Sequence, residues 1–334
     1  MATTLSGLVK KTAEALFHYA GGTSFLRRRF DSGVRILMYH RFRQTFRFET
    51  QCAHLKKRYH PVTLTDVAGW LRDGKPIPPR AVAVTVDDGY RDFLETAFPV
   101  LEKYQIPATV FLTTDLLDRN TWLWVDQVVH CFLASQARAV TLRITGCDQE
   151  RWKLESGDQR MQAATIIKEA LKKIPNEERL EVLEKLPRLL GAEIPAQPPA
   201  SHAPLQWDDV RELARRGVEF GAHTRTHPIL SRLSGSGQLE AEIVGSKKRI
   251  EQETGMSVEH FCYPNGTPAD ITPEAVEVVK ASGFLTSVTG TGGVNFAGAD
   301  PYALRRIAVE PDREDFTFFR HVAGYEPAGR LQRR

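Results

Sequence analysis

The chain has 334 residues, of which 42% are hydrophobic and 26% charged, with 24 Gly and 19 Pro. This composition excludes a disordered, fibrous or low-complexity protein, and the length allows one large α/β domain or two average ones. The formal net charge of +4 is unevenly placed, because residues 1–35 sum to +4, residues 36–329 to −3 and residues 330–334 to +3. A mildly acidic body with basic ends argues against a nucleic-acid-binding protein.

The cysteines and the apolar runs bear on the cellular compartment. Cys52, Cys131, Cys147 and Cys262 are scattered with no CxxC pair, which indicates neither a disulfide framework nor a thiolate zinc site. Charged residues interrupt the N-terminal region, so the sequence predicts no signal peptide, and no apolar run approaches the roughly 20 residues of a membrane span. We therefore expect a cytoplasmic protein.

Residues 1–33 predict a basic helical segment. Lys10, Lys11 and Glu14 lie largely opposite an apolar face. Either this helix packs on the protein's own surface, which is the commoner arrangement, or it makes a peripheral contact with an anionic membrane such as the inner face of the cell membrane. The apolar positions at helical spacing are Leu5, Leu8, Val9, Ala13, Leu16, Phe17 and Ala20.

From residue 34 onward, short β-rich runs alternate with helical patterns. The predicted strands are 34–39, 81–86, 108–113, 218–222, 258–263, 284–288 and 306–309. The predicted helices are 49–59, 66–71, 92–104, 207–216, 238–254 and 273–281. Repeated β-then-α units predict an α/β fold of about seven parallel strands, with helices outside and ligands at the carboxyl ends of the strands.

Residues 116–204 break this alternation. They are rich in helix formers and charge and end in a Pro-rich linker. We expect a helical insertion on a strand-to-helix loop, within one domain that spans residues 34–334. Such an insertion either shapes the substrate site or is a structural appendage.

Two adjacent carboxylates, Asp87 and Asp88, close an apolar strand and are followed by Gly89. Carboxylates are costly in an apolar setting unless they are paired or bind a metal. One of them can therefore bind a cation while its neighbour faces a substrate. An ordinary Asp-Gly turn would explain the motif if it stood alone.

A second polar cluster follows another apolar strand and contains His223 and His227. Two imidazoles four residues apart can grip one divalent cation, and two His with one carboxylate leave positions open for water, which is typical of a catalytic site. Such ligands favour Zn²⁺, Co²⁺ or Ni²⁺ over Mg²⁺. A third cluster, residues 261–266, ends yet another strand.

These motifs resemble those of the polysaccharide deacetylases, carbohydrate esterase family 4 with its NodB-homology domain. Residues 85–89 are similar to the family's first motif, 223–227 to its His-Ser/Thr-x-x-His motif, and 263–266 to its third motif. The resemblance covers roughly 34–115 and 205–310. It implies a distorted (β/α) barrel that hydrolyses an N-acyl group from a sugar.

The resemblance also implies roles for individual residues. Asp88, His223 and His227 would bind the divalent metal, and Asp87 would be the general base that deprotonates the attacking water. This division agrees with the physical chemistry, because a metal lowers the pKa of water to around 7 and a neighbouring carboxylate then accepts its proton.

The third motif carries two further expectations. The backbone N–H of Tyr263 would stabilise the oxyanion together with the metal, with Asn265 beside it in the substrate site. The family usually has an Arg here that orients the base, whereas this stretch begins with Phe261-Cys262. We expect Arg306, or its neighbour Arg305, to replace it.

The family's late Leu-x-His motif, source of the general acid, is absent, since the matching residues 304–307 read Leu-Arg-Arg-Ile. Instead, His40 closes the first predicted strand. This is similar to the circularly permuted arrangement of biofilm poly-N-acetylglucosamine deacetylases. We therefore expect His40 to be the general acid, with a purely structural role as the alternative.

The leading hypothesis is thus a metal-dependent sugar N-deacetylase that acts on an N-acetylated glycan or a lipid-linked sugar. One alternative is a catalytically silent carbohydrate-binding protein, against which the complete set Asp87, Asp88, His223 and His227 argues. Another is a metal phosphoesterase, which would need a second set of metal ligands or an Arg clamp around phosphate. The sequence offers neither of these.

Overall fold

The computed structural model describes residues 5–43, 46–119 and 121–325, without the side chains of residues 5–11 and 236. The basic residues of the tail, 330–334, lie outside this part of the chain. One sheet of parallel strands dominates the structure. Its strands are β1 (Arg35–Tyr39), β2 (His60–Pro61), β3 (Ala81–Val86), β4 (Ala108–Leu112), β7 (Glu219–Ala222), β8 (His260–Cys262), β9 (Thr286–Val288) and β10 (Ile307–Ala308).

The strands follow the spatial order β10-β1-β3-β4-β7-β8-β9, and the short β2 also pairs with β3. Each of the seven predicted strands is present. Leu304 pairs with Val288 at one edge of the sheet, and three residues later Ile307 pairs with Leu37 at the other edge. The sheet thereby curls into a distorted barrel, which confirms the predicted fold class.

Helices cover the outside of the barrel. The first two described helices pack against the last one. None of the helices in the described ranges is both long enough and apolar enough to span a bilayer. They are α1 (Leu5–Tyr19), α2 (Gly22–Arg29), α3 (Phe46–Arg58), α4 (Leu64–Asp73), α5 (Phe98–Lys103, after a π-helical turn at Phe93–Ala97), α6 (Thr114–Asp118), α7 (Trp124–Ala134), α8 (Gly157–Leu171), α9 (Asn176–Leu190), α10 (Trp207–Arg215), α11 (Ser236–Thr254), α12 (Pro273–Ala281) and α13 (Asp315–Val322).

The segment predicted as a helical insertion has its own apolar cluster, formed mainly by α7, α8 and α9. It also contains an antiparallel hairpin of β5 (Ala139–Thr141) and β6 (Arg151–Lys153), with Val140 opposite Trp152. The expectation of an all-helical segment is therefore incomplete. Strands of three residues are too short to show an alternating pattern in the sequence.

The strands β1 and β3 are buried along their whole length, as expected for parallel strands that are covered on both faces. Every strand of the main sheet runs in the same direction, so the carboxyl ends of β1, β3, β7 and β8 meet at one edge. That edge carries the polar clusters that the sequence singled out.

His260 of β8 provides a test of this packing. It is buried, with Nδ1 2.8 Å from Thr286 Oγ1 and Nε2 3.1 Å from Thr65 Oγ1. Burial lowers its pKa from 6.5 to about 4. The unfolded chain therefore takes up this proton near pH 6.5 and the native state only near pH 4, so stability is lost as the pH falls between these values.

We expect wild type to lose about 2 to 3 kcal/mol more unfolding free energy than His260→Gln between pH 7 and pH 4.5, as measured by urea denaturation. His60→Gln, at an exposed histidine, is the matched control and should retain the wild-type pH dependence. Equal slopes for wild type and His260→Gln would contradict the prediction.

Candidate active site

Polar side chains follow three strands at the carboxyl edge of the barrel: the neighbours β1 and β3, and β7, which β4 separates from β3. His40 follows β1, Asp87 and Asp88 follow β3, and His223 follows β7. The chain leaves β3 through left-handed backbone, with φ of 76° at Asp88 and 83° at Gly89. This conformation is uncommon for a residue other than Gly, and such strain clusters at functional sites.

A buried bidentate ion pair holds Asp87. Arg306 Nη1 donates to Asp87 Oδ1 at 2.6 Å and Nη2 to Oδ2 at 2.8 Å. The guanidinium also donates to the Thr289 carbonyl and to Thr85 Oγ1. Burial by itself would raise the pKa of Asp87, but the charges of Arg306 and His40 outweigh it and hold that pKa below its usual range. Asp87 is thus ionised and able to accept a proton.

Cys262 lies beside this ion pair, in the stretch where the resembling family usually has its Arg. Its Sγ is 3.2 Å from Arg306 Nη2 and 3.6 Å from Asp87 Oδ2. The small side chain of Cys262 leaves space for the guanidinium of Arg306, which directly precedes β10. Arg305, the other candidate, is exposed and donates to the Gly292 carbonyl instead.

Asp88, His223 and His227 converge on one point. Nε2 of each imidazole lies 3.6 Å from Asp88 Oδ1, which is too long for a hydrogen bond. Ligand atoms around a tetrahedral Zn²⁺ at its usual bond lengths are about 3.4 Å apart. The spacing therefore fits three ligands that share one cation.

The two imidazoles are held in the form that binds metals. His223 Nδ1 lies 2.7 Å from the Cys262 carbonyl, which can only accept, so Nδ1 carries the proton and the lone pair of Nε2 faces Asp88. His227 has φ of 58°, and its carbonyl accepts a hydrogen bond from Trp124 Nε1 at 3.0 Å. Burial lowers the pKa of both imidazoles, which keeps them neutral.

The charge balance around Asp88 also fits a cation. Burial and the neighbouring charge of Asp87 raise the pKa of Asp88 well above its usual range. A divalent cation beside Asp88 would lower this pKa again, because it stabilises the ionised carboxylate. Asp87, His223 and Cys262 form a second group of close ligand atoms. We do not assign a cation to that group, because the Arg306 guanidinium already supplies a positive charge there.

His40 lies on the open side of Asp87. Its Nε2 is 3.7 Å from Asp87 Oδ2, and its side chain is 33% exposed whereas that of Asp87 is 3% exposed. The imidazole can therefore face both the carboxylate and a molecule that enters from solvent.

The structure corrects the expectations for the third motif. The backbone N–H of Tyr263 donates to the Val288 carbonyl at 3.2 Å, so it is not available as an oxyanion donor. That expectation is wrong, because residue 263 continues the pairing of β8 with β9. Asn265 is exposed, has φ of 58° and donates its amide to Asp270. It is a turn residue, and its placement does not support the expected substrate contact.

A rim cluster of Arg41, Tyr90, Asp92 and Asp126 joins the barrel loops to the insertion, and sequence reasoning missed its member Arg41. The Tyr90 hydroxyl donates to Asp126 Oδ2, and the Arg41 guanidinium lies 3.8 Å from the centre of the Tyr90 ring. Arg41 Nε also donates to Asp92 at 2.9 Å. Arg41 directly follows His40 in the chain, so adjacency to a predicted site residue was the available signal.

A barrel with a carboxylate and imidazole cluster at the carboxyl ends of its strands has the architecture of a barrel enzyme. A sequence profile described as polysaccharide deacetylase matches residues 74–286. The chain belongs to the polysaccharide deacetylase family, as its motifs indicated.

Individual proteins show the same relationship. Poly-beta-1,6-N-acetyl-D-glucosamine N-deacetylase of Escherichia coli (strain K12) is 39% identical over 113 residues, which are 28% of this chain and 17% of that protein. The putative polysaccharide deacetylase YxkH of Bacillus subtilis (strain 168) is 27% identical over 274 residues, 81% of this chain and 67% of that protein. The structure of Streptococcus pyogenes deacetylase PplD in complex with acetate superposes with a TM-score of 0.55 at 17% identity, over 84% of this chain and 93% of that one. The superposition with PplD shows that the two chains share a fold.

The ion pair between Asp87 and Arg306 yields a stability prediction. Arg306→Met leaves Asp87 buried without its partner, so we expect a loss of about 3 to 5 kcal/mol of unfolding free energy. The matched control Arg305→Met changes an exposed neighbour and should stay within about 0.5 kcal/mol of wild type. Urea denaturation measures both, and equal losses in the two variants would contradict the assignment of Arg306.

Proposed function

We propose that the protein is a metal-dependent hydrolase that removes an N-acetyl group from an amino sugar of a polysaccharide or glycan precursor. The observation that carries this proposal is the pairing of a three-ligand cluster with an ionised carboxylate, Asp87, at the same strand end. The cluster supplies a cation site, and Asp87 supplies a base that is not one of its ligands. Membership of the polysaccharide deacetylase family supports the reaction class.

Asp88, His223 and His227 would hold the metal, with Zn²⁺ the preferred ion and Co²⁺ or Ni²⁺ as alternatives. The spacing of their ligand atoms, the raised pKa of Asp88 and the fixed tautomer of His223 all fit such an ion. When bound, the metal acts as a Lewis acid that polarises the acyl oxygen and acidifies water.

The protein's own residues then divide the proton transfers. The Asp87 carboxylate accepts a proton from the attacking water, whose oxygen bonds to the acyl carbon. The buried Arg306 keeps Asp87 ionised and fixes its plane, because both guanidinium nitrogens engage its oxygens. As the C–N bond breaks, His40 Nε2 donates a proton to the sugar nitrogen, which leaves as an amine while acetate is released. The early position of this histidine is part of the proposal.

The two alternative functions explain the site less well. A silent carbohydrate-binding protein has no need of a buried cation site beside a second, ionised carboxylate. A two-metal phosphoesterase needs a second set of ligands. Within the described residues, the other close group shares His223 with the first, and its other two members, Asp87 and Cys262, contact the guanidinium of Arg306.

The rim cluster supports a role for the insertion in the substrate site. Asp126 comes from α7 of the insertion and contacts Tyr90, two residues after the ligand Asp88. We propose that the domain spans residues 34–334 and that its insertion at 116–204 forms one wall of the glycan site. The E. coli relative suggests N-acetylglucosamine polymers as a substrate, and a lipid-linked sugar inside the cell is the other proposed class.

Metal binding can be tested without an activity assay. Asp88→Asn, His223→Gln and His227→Gln should each weaken Co²⁺ or Zn²⁺ binding by more than the roughly 10–100-fold that loss of an outer-shell partner costs. Metal content after dialysis and the visible spectrum of the Co²⁺ form provide the measurement. His60→Gln, at an exposed histidine that pairs with the start of β3, opposite the end that Asp88 follows, should bind like wild type. Unchanged metal binding in the three variants would contradict the proposed metal site.

Catalysis is tested by acetate release from N-acetylglucosamine oligomers with added Zn²⁺ or Co²⁺. Asp87→Asn and His40→Ala should each lower kcat by about 10²- to 10⁴-fold, because each removes one proton-transfer group. Both variants should retain the bound metal, and His60→Ala is the control. Near-normal turnover in His40→Ala would contradict the proposed role of His40 as the general acid. No reaction of metal-loaded wild type with oligomers, lipid-linked sugars or nucleotide sugars would overturn the proposed function.

A further inference from the structure

The helix α1 presents its apolar stripe to solvent. Ala13, Leu16, Phe17 and Ala20 are spaced i, i+3, i+4 and i+7 and are all exposed, with Leu16 at 66%. Tyr19 beside them is 78% exposed. A surface helix normally turns such a stripe toward the core. In the described structure Phe17 is partly covered by α2 at Gly22, whereas Leu16 remains exposed.

The opposite face of α1 makes polar contacts with the body of the protein. Glu14 is buried and accepts hydrogen bonds from Thr317 and Arg320 of α13. The His18 ring packs against Phe316 and Phe319. These contacts fix the rotation of the helix, because turning the apolar stripe inward would remove Glu14 from its two donors. The helix thus packs on the protein's own surface, the commoner of the two predicted arrangements, but through Glu14 and His18, which leaves Leu16 exposed.

The helix α2 continues the exposed apolar surface and adds positive charge. Phe25 is 69% exposed, and Arg28 and Arg29 are exposed beside it in the sequence. We call Leu16, Phe17, Tyr19, Phe25, Arg28 and Arg29 the N-terminal patch.

Further cations surround the N-terminal patch. The end of α3 carries the exposed residues Lys56, Lys57 and Arg58. His54 of α3 stacks on the Phe319 ring, which His18 of α1 also contacts, so α1 and α3 pack on the same part of α13. The one acidic residue of α1, Glu14, is buried and paired with Arg320. Exposed basic side chains of α2 and α3 therefore accompany the apolar stripe.

We propose that the N-terminal patch docks on an anionic lipid bilayer, with α1 and α2 lying in the plane of the surface. Exposed Leu, Phe and Tyr side chains enter the boundary between headgroups and acyl chains, while the Arg and Lys side chains contact anionic headgroups. A second copy of the chain fits less well, because a two-fold contact through this patch would bring the same cations of both copies together.

This proposal goes beyond the deacetylase function and does not depend on it. The full-length protein is sedimented with phosphatidylcholine vesicles that contain either no anionic lipid or one quarter phosphatidylglycerol. We expect binding to the anionic vesicles that weakens at least tenfold on neutral vesicles and falls as salt is raised. The absence of wild-type binding to anionic vesicles would overturn the proposal, whatever the result of the acetate-release assay.

Two double variants separate the contributions of the apolar and the basic side chains to vesicle binding. Leu16→Ser with Phe25→Ser should weaken vesicle binding at least tenfold at any salt concentration, and Arg28→Gln with Arg29→Gln should weaken binding at low salt and reduce its salt dependence. Leu180→Ser with Leu189→Ser changes equally large exposed side chains on α9, which are 51% and 46% exposed, and should bind like wild type. A circular dichroism spectrum and a thermal unfolding midpoint check that each variant is folded.

The same proteins are run by analytical ultracentrifugation without lipid. A monomer at all concentrations is the expected result. A dimer that Leu16→Ser with Phe25→Ser abolishes would overturn the lipid proposal in favour of a contact between copies. Equal vesicle binding by wild type and both patch variants would also overturn it, since the lipid contact would then lie elsewhere on the chain.

Discussion

The buried pair of Asp87 and Arg306 is the constraint on which the candidate site depends. An unpaired carboxylate at this depth would be neutral, and a neutral Asp87 cannot act as a base. Arg306 supplies the charge that keeps Asp87 ionised, and both of its Nη atoms fix the carboxylate plane. Within the described residues, no guanidinium donates a hydrogen bond to the neighbouring Asp88, which we propose shares a cation with two imidazoles. One Arg thus assigns different roles to two adjacent and chemically identical residues.

The sequence was sufficient for the parts of the site that follow from strand ends and local spacing. The Asp-Asp-Gly and His-x-x-x-His patterns place their residues at the edge where parallel strands end, and the barrel brings them together as expected. The contact of Arg306 with Asp87 follows less directly, since it spans 219 positions in the chain. It was suggested by the missing Arg in the third motif. The small side chain of Cys262 at that position leaves room for the guanidinium of Arg306 beside Asp87.

Other features depend on register and on tertiary neighbours, which no local pattern specifies. The N–H of Tyr263 is occupied because β8 extends its pairing with β9 by one residue. The hairpin in the insertion has strands of three residues, which is below the length at which alternation is visible. The amphipathic pattern of α1 identified an apolar face correctly but contained no information on which face α13 would cover. That choice is made by Glu14 and its donors.

The segment from Leu304 to Ile307 gives the barrel a kinetic property as well as a structural one. The same few residues pair with both edges of the sheet and carry Arg306. Asp87 therefore lacks its counter-charge until the last strand of the barrel has docked. During synthesis, Asp87, Asp88, His223 and His227 all precede Arg306 in the nascent chain, so the proposed ligands and base emerge before the residue that keeps Asp87 ionised. The proton transfer proposed for Asp87 is thus coupled to closure of the barrel, since a partly folded chain would lack the contact with Arg306.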